Sequence, residues 1–141
     1  MSQTNLDLAQ RMTEAFNRTF TEGADDLYGI LDPDVDWEPI TAQLDGTTYR
    51  GHDGVRQWIE DMKADWEEFE THVEDVRDLG DDRVLSLGRW QARGRASGVG
   101  LDFQKAAWLL TFRGGKLVRL KTFTDRSDAY RAVGLSAGES S

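Results

Sequence analysis

The segment LDFQKAAWLLTFRGGKLVRLKTFT, residues 101–124, decides the fold of this chain. Two runs rich in β-branched, aromatic and leucine residues meet at Gly114-Gly115, and a glycine pair supplies the positive φ angles that a tight hairpin turn requires. Side chains alternate along a strand, so Trp108 and Leu110 share one face. Both faces of this hairpin are mostly apolar. We therefore expect helices to cover one face of the sheet and a ligand cavity or a second subunit to cover the other.

Composition limits the class of protein. The chain has 141 residues, no cysteine and only two prolines, which favours a single α+β domain over residues 1–141. Disulfides, cysteine-bound zinc and thiol catalysis are excluded. The first residues show no basic segment followed by an apolar run, and no window approaches the roughly 20 apolar residues of a membrane span. We therefore expect a cytoplasmic protein that does not bind membranes.

Charge is distributed unevenly. The net charge is −9, but residues 1–82 carry 22 acidic and 6 basic side chains, whereas residues 83–141 carry 4 acidic and 11 basic ones. A basic sheet surface would attract an anionic ligand; alternatively, the two halves neutralise each other within the fold or between subunits. Because the overall sign repels phosphate backbones, we expect no nucleic-acid partner.

Periodic apolar positions predict the secondary structure. Thr4 is a candidate cap for a first helix, in which Leu8, Met12, Phe16 and Phe20 form an apolar stripe. Asp25 opens a short second helix that Pro33 ends. A brief strand then surrounds Trp37, and a third helix follows, with Asp53 as its candidate cap and Trp66 on its buried face. Strands over residues 71–79 and 83–95 precede the hairpin, and a last helix begins after Asp125. Residues 1–4 and 136–141 are expected to be frayed.

Three stretches resemble the nuclear transport factor 2 and ketosteroid isomerase superfamily, and its SnoaL-like branch most of all. They are DVDWEP at residues 34–39, TTYRGHDGVRQWIEDM at residues 47–62 and FRGGKLVRLKTFTDRSDAYRAVGL at residues 112–135. The resemblance implies a cone-shaped α+β fold in which a curved antiparallel sheet wraps around three N-terminal helices and a short C-terminal helix closes the chain. It also implies a pocket between the sheet and the helices, and a homodimer held by the outer sheet face.

The resemblance places Glu38 where ketosteroid isomerases carry their general base. A carboxylate at the mouth of an apolar cavity has the environment to move a proton next to a carbonyl. The two oxyanion donors of those isomerases fall near Met12 and Trp108, which cannot act in the same way, so steroid isomerisation is not expected. Glu38 is alternatively an ordinary carboxylate at a strand end that faces water.

Two further polar residues are candidates. His52 enters the third helix, and histidine side chains commonly serve as acids or bases, so it is a possible proton carrier; alternatively, it bonds backbone carbonyls. Asp125 matches the rim aspartates of some relatives, although helix capping explains it better. Two separated histidines without an acidic cluster predict no metal site, and no cofactor is expected. The polar row Arg89, Gln91 and Arg93 lies either in the pocket or on the outer face.

Aromatic residues are abundant for a domain of this size. Core packing is the simplest explanation, but a cone-shaped fold encloses a hollow, and we expect several of these rings to line it. The predicted lining is Tyr28, Trp37, Trp58, Trp108, Leu110, Thr122 and Thr124, with Asp125 at the rim. Such a wall suits a small, largely apolar cyclic or polyketide-like molecule.

Two classes of function remain open. The first is a cofactor-free isomerase, cyclase or lyase in which Glu38 and His52 carry protons. The second is a noncatalytic ligand-binding or dimerisation module, whose pocket lacks paired titratable groups.

Overall fold

The computed structural model describes residues 2–19, 22–40, 42 and 46–134. Within these ranges the helices are α1 (Ser2–Arg18), α2 (Asp25–Ile30), α3 (Gly51–Asp65) and α4 (Arg126–Ala132). The strands are β1 (Leu31–Glu38), β2 (Tyr49–Arg50), β3 (Trp66–Gly80), β4 (Arg83–Gly94), β5 (Gly100–Arg113) and β6 (Lys116–Phe123). Residues 2–4, which were expected to be frayed, belong to α1; Met1 and residues 136–141, also expected to be frayed, lie outside the described residues.

The six strands form one curved sheet that does not close on itself, in the order β2-β1-β6-β5-β4-β3. All neighbouring strands are antiparallel except β1 and β6, which run parallel. The α+β class and the curved sheet are confirmed, and the sheet is mixed where a purely antiparallel one was expected. The parallel pair places β1 beside the hairpin, between β6 and the two-residue edge strand β2.

The hairpin is built as predicted. Arg113 lies opposite Lys116, so the loop is the two-residue Gly114-Gly115 pair. Both glycines have positive φ, 60° and 79°, a conformation that most other residues adopt only at a cost. This turn fixes the register of β5 and β6, and hence which side chains face inward.

The two faces of the sheet contact different helices. On the inner face Trp108 and Leu110 join the main core with residues of α1 and α3. On the outer face Ala107 and Phe123 form a smaller cluster with α4, which contributes Tyr130. Helices therefore pack on both faces, and the expectation that a cavity or a second subunit alone covers one of them is corrected.

Strand β1 differs from its prediction because α2 stops at Ile30. Leu31, assigned to the helix from the sequence, is the first residue of the strand, and Pro33 lies inside the strand instead of ending a helix. The pairing of β1 with β6 shifts register between Leu31 and Asp36. A bulge of this kind tolerates proline, which has no N–H to donate to a neighbouring strand.

Three other boundary predictions were wrong. Helix α1 already begins at Ser2, so Thr4 lies within it and is not the cap. Helix α3 begins at Gly51, which places Asp53 in its first turn, where the carboxylate pairs with Arg56 at 2.6 Å. Trp66, assigned to the buried face of this helix, is the first residue of β3.

Ion pairs join the acidic and basic halves of the chain. Glu68 lies 4.0 Å from Arg93, Glu38 lies 3.4 Å from Arg119, and Glu74 lies 3.7 Å from Arg126. These pairs favour the interpretation that the halves neutralise each other within the fold. Since they are at least partly exposed, each contributes little to stability.

Candidate functional site

A narrow slot lies between α1 and the inner face of the sheet. It crosses four neighbouring strands, because β3, β4, β5 and β6 all contribute to its floor. The lining residues are Met12, Thr13, Phe16, Thr71, Val73, Ser86, Trp108, Leu110 and Leu120. The family resemblance implies a pocket between the sheet and the first three helices, and the slot lies in that region, beside α1.

The slot has a buried floor and an accessible side. Thr13 and Phe16 on α1 and Val73 on β3 are half-buried, whereas the other lining residues are buried. The mouth therefore lies between α1 and β3. Two amides hold α1 in place along this opening: Asn17 donates to the Thr71 carbonyl at 3.2 Å, and Asn5 donates to the Asp82 carboxylate at 3.2 Å.

The slot is small. Its accessible volume is about 40 Å³, which leaves room for a molecule of about one ring. Sites for drug-sized ligands are larger, at about 300–1,000 Å³. A single ring therefore fits the slot as it stands, and a multi-ring polyketide does not.

Polar atoms of the slot come from hydroxyl groups. Thr71 and Ser86 are 8% and 2% exposed, and neither hydroxyl has a hydrogen-bond partner among the described residues. Thr13, in contrast, donates to the Ala9 carbonyl at 3.1 Å. Within the described part of the chain, no titratable side chain lines the slot.

Three predicted lining residues lie on the inner wall near the slot. Trp108 and Leu110 line it directly. Thr122 lies opposite Trp108 on β6 and is 1% exposed, and its hydroxyl has no partner in the described residues. Thr124 lies one residue beyond β6, is half-exposed and does not line the slot.

Two predicted lining tryptophans lie elsewhere in the core. Trp37 is fully buried, and its ring centroid lies 5.1 Å from that of Trp58. Trp58 in turn contacts Phe16, with centroids 5.5 Å apart. The expectation that both indoles wall the hollow is corrected: they pack behind Phe16 and not against the slot.

Glu38 lies away from the slot. It follows Trp37 on β1 and therefore points to the opposite face of the sheet. Its carboxylate lies 3.4 Å from Arg119, and Lys121 is its neighbour on β6. The expectation that Glu38 stands at the cavity mouth is corrected, because two adjacent strand residues cannot both face inward.

His52 and Tyr28 form a separate cluster. The His52 Nε2 atom lies 3.0 Å from the Leu31 carbonyl, and its ring lies 5.4 Å from that of Tyr28. Burial raises the pKa of the Tyr28 phenol above its ordinary value of 10.0, although the neighbouring Arg56 acts in the opposite direction. Tyr28 is therefore a neutral phenol at physiological pH. Neither residue lines the slot. The geometry therefore does not support the predicted roles of His52 as a proton carrier and of Tyr28 as a lining residue.

Asp125 caps α4. Its carboxylate accepts a hydrogen bond from the Ser127 N–H at 2.8 Å, and the residue is exposed at the helix start. Hydrogen bonds from Ser127 lower the pKa of the Asp125 carboxyl below its ordinary value of 3.8. Capping therefore accounts for this residue without a ligand.

We expect Asp125→Ala to lower the free energy of unfolding by about 1 kcal/mol, because the cap is lost. Since the folded-state pKa is depressed, the ionised form contributes stability above about pH 4, and this contribution is lost as pH falls through the lowered pKa. Urea unfolding of wild type and variant between pH 3 and 7 measures the difference. If the difference in unfolding free energy between wild type and Asp125→Ala stays the same at acidic pH, the capping role is contradicted. Asp125→Asn serves as the control, because its side chain does not titrate.

The polar row on β4 belongs to the outer face. Arg89, Gln91 and Arg93 alternate with Trp90 and Ala92, which lie in the main core. The alternative that this row clamps an anion in the pocket is thereby excluded. A homodimer through this outer face stays a prediction.

The sequence interpretation missed most of the slot. Met12 and Phe16 were assigned only to a core stripe, together with Phe20, which lies outside the described residues. Ser86 had a usable signal, because it shares the face of Trp90 by strict alternation along β4. The alternation pattern was a weaker guide for Thr71 and Val73, because β3 shifts register against β4 between Val73 and Asp75.

Clusters suited to a metal ion and helices suited to a membrane are both absent from the described residues. No group of three histidine, aspartate or glutamate side chains there is placed to hold a metal ion. None of the helices in those ranges has the length and apolar character needed to cross a membrane.

Comparison with known families identifies the class of protein. The family model of the SnoaL-like domain matches residues 9–120, and the chain therefore belongs to the SnoaL-like family. No curated protein matches the chain.

Solved structures share the fold at low sequence identity. An NTF2-like protein from Burkholderia pseudomallei is 22% identical with a TM-score of 0.73, over 92% of this chain and 97% of that one. TerC, co-crystallised with polyporic acid, is 18% identical with a TM-score of 0.71, over 93% and 98%. A protein with a ketosteroid isomerase-like fold from Catenulispora acidiphila, in complex with trimethylamine, is 16% identical with a TM-score of 0.68, over 94% and 95%. These likenesses establish the fold.

Proposed function

We propose that this SnoaL-like protein binds a small, largely apolar cyclic molecule in the slot between α1 and the sheet. The observation that carries the proposal is the composition of the wall, in which apolar side chains surround two unpaired hydroxyls. Ligand sites commonly combine an apolar lining with a few polar groups that fix orientation. Relatives of the same fold crystallised with small molecules, TerC with polyporic acid among them, support this direction.

Binding without side-chain acid/base chemistry fits the described residues better than catalysis. General acid/base catalysis requires a titratable group within hydrogen-bond reach of the ligand. Glu38 pairs with Arg119, and His52 contacts the Leu31 carbonyl. Within the described ranges the slot has hydroxyls to orient a ligand and no group to exchange its protons.

Occupancy of the slot is tested by NMR titration of the ¹⁵N-labelled protein with cyclohexanemethanol. We expect a saturable shift of the Trp108 indole N–H, assigned with Trp108→Phe. Val73→Phe should abolish the shift, because a larger ring at the half-buried mouth occupies the space. Val99→Phe, at a residue 58% exposed and away from the slot, is the matched control.

Glu38→Gln and His52→Ala are expected to leave this binding unchanged. Loss of binding in either variant would assign those residues to the site. Absence of any saturable shift in wild type, or equal binding by Val73→Phe, would refute the proposed function.

A further inference from the structure

We propose that the slot recognises a neutral ligand with an oxygen at each of two opposite ends, one bound by Thr71 and the other by Ser86. This inference rests on the proposed function and specifies its ligand class. A hydroxyl or carbonyl oxygen satisfies either residue, since a side-chain hydroxyl both donates and accepts.

Three buried hydroxyls among the described residues, those of Thr71, Ser86 and Thr122, have no hydrogen-bond partner, and of these only Thr71 and Ser86 line the slot. Thr13 and Thr19 on α1 donate to the carbonyls of Ala9 and Ala15, at 3.1 and 2.8 Å. Thr71 and Ser86 lie on strands and have no such partner among the described residues. Buried polar groups are normally hydrogen-bonded, and leaving them unpaired is costly. A ligand that supplies the partners removes this cost.

The two hydroxyls are too far apart to bind one atom. Thr71 lies opposite Trp90 and Ser86 opposite Val76, so the two positions differ by four residues along β4. At the rise of an extended strand this is about 13 Å. With a hydrogen bond of about 2.8 Å at each end, the two ligand oxygens would lie about 7 Å apart. One ring with substituents at opposite ends spans this distance.

The rest of the wall determines the ligand's body and charge. Trp108 on β5 is paired with Ser86, Leu110 and Leu120 extend the floor on β5 and β6, and Met12 and Phe16 form the roof. The ligand's middle therefore contacts apolar side chains only. A carboxylate or ammonium group would enter a site with no counter-charge in the described residues, which disfavours ions.

The experiment uses four trans-1,4-disubstituted cyclohexanes with the same ring. They carry two hydroxymethyl groups, one hydroxymethyl and one methyl, two methyls, or two carboxylates. We expect each hydroxymethyl group to increase affinity about fivefold to tenfold, and we expect no binding of the dicarboxylate. The affinity of each compound is obtained from the shift of the Trp108 indole N–H signal during titration.

Variants assign each end of the ligand. Thr71→Val and Ser86→Ala should each weaken binding of the bis-hydroxymethyl compound about fivefold to tenfold and leave the dimethyl compound unaffected. Both variants should also raise the Tm of the free protein by a few degrees, because an unpaired buried hydroxyl is removed. A purely structural role would lower Tm without altering this selectivity.

Thr19→Val is the matched control. It removes a buried hydroxyl of α1 that already donates to the Ala15 carbonyl and does not line the slot, so the affinities should not change. Equal binding of the bis-hydroxymethyl and dimethyl compounds, or an equal loss in Thr19→Val, would overturn this inference and leave the proposed function standing. If no compound binds, the proposed function itself fails.

Discussion

Gly88→Ala is expected to destabilise the protein by about 3 to 5 kcal/mol. A Cβ atom at Gly88 would lie 1.9 Å from the His72 carbonyl oxygen and 2.9 Å from the Val73 Cα. Both are backbone atoms of β3, so no side-chain rotation relieves the contact. The two strands would have to separate at the centre of their pairing.

The position of Gly88 explains why this strain would spread. The pairing of β4 with β5 shifts register between Gly88 and Trp90, and Arg126 donates to the Gly88 carbonyl at 3.3 Å. Displacing the strand therefore also disturbs the attachment of α4. Val73, whose Cα would meet the new methyl group, lines the mouth of the slot.

Chemical denaturation of Gly88→Ala beside Gly29→Ala tests this claim. Gly29 lies in α2, and a Cβ atom added there would meet no atom within 4 Å, so alanine at this position should be neutral or stabilising by up to about 1 kcal/mol. Equal stability of wild type and Gly88→Ala would show that β3 and β4 do not approach each other this closely.

Trp37→Ala is expected to lower the free energy of unfolding by about 3 to 5 kcal/mol. Trp37 is fully buried and packs against Trp58, so truncation leaves a cavity that the surrounding core only partly fills. Its indole N–H has no hydrogen-bond partner in the described residues. Trp37→Phe therefore loses packing but no hydrogen bond, and should cost less.

Ligand affinity separates the two possible roles of Trp37. If it only packs the core, Trp37→Phe should bind cyclohexanemethanol within about twofold of wild type while unfolding at lower urea concentration. A strong loss of affinity in a folded Trp37→Phe protein would restore this residue to the lining of the site. Calorimetric titration, together with urea unfolding, gives both quantities.

Local chemistry made the hairpin predictable. Gly114-Gly115 specifies a two-residue turn, and alternation from that turn correctly placed Trp108 and Leu110 on one face. The same rule applied to β1 would have separated Trp37 from Glu38, since adjacent strand residues face opposite ways. The resemblance to ketosteroid isomerases, applied at Glu38, overrode this local rule.

Other features depend on tertiary packing. Trp37 and Trp108 both face inward, and only the position of α1 and Phe16 decides which indole borders a void. Bulges in β1, β3, β5 and β6 shift the register, and no distinctive residue in the sequence predicts them. The sequence likewise does not show whether the Thr71 and Ser86 hydroxyls are hydrogen-bonded, because that depends on which other side chains lie within reach.

The slot between α1 and the sheet is the central claim, and a crystal structure with trans-1,4-cyclohexanedimethanol tests it most directly. We expect electron density for one ring beside Trp108, with its oxygens within hydrogen-bond distance of the Thr71 and Ser86 hydroxyls. Density for α1 packed onto the sheet with no space between them, or a ligand bound only elsewhere, would contradict the account.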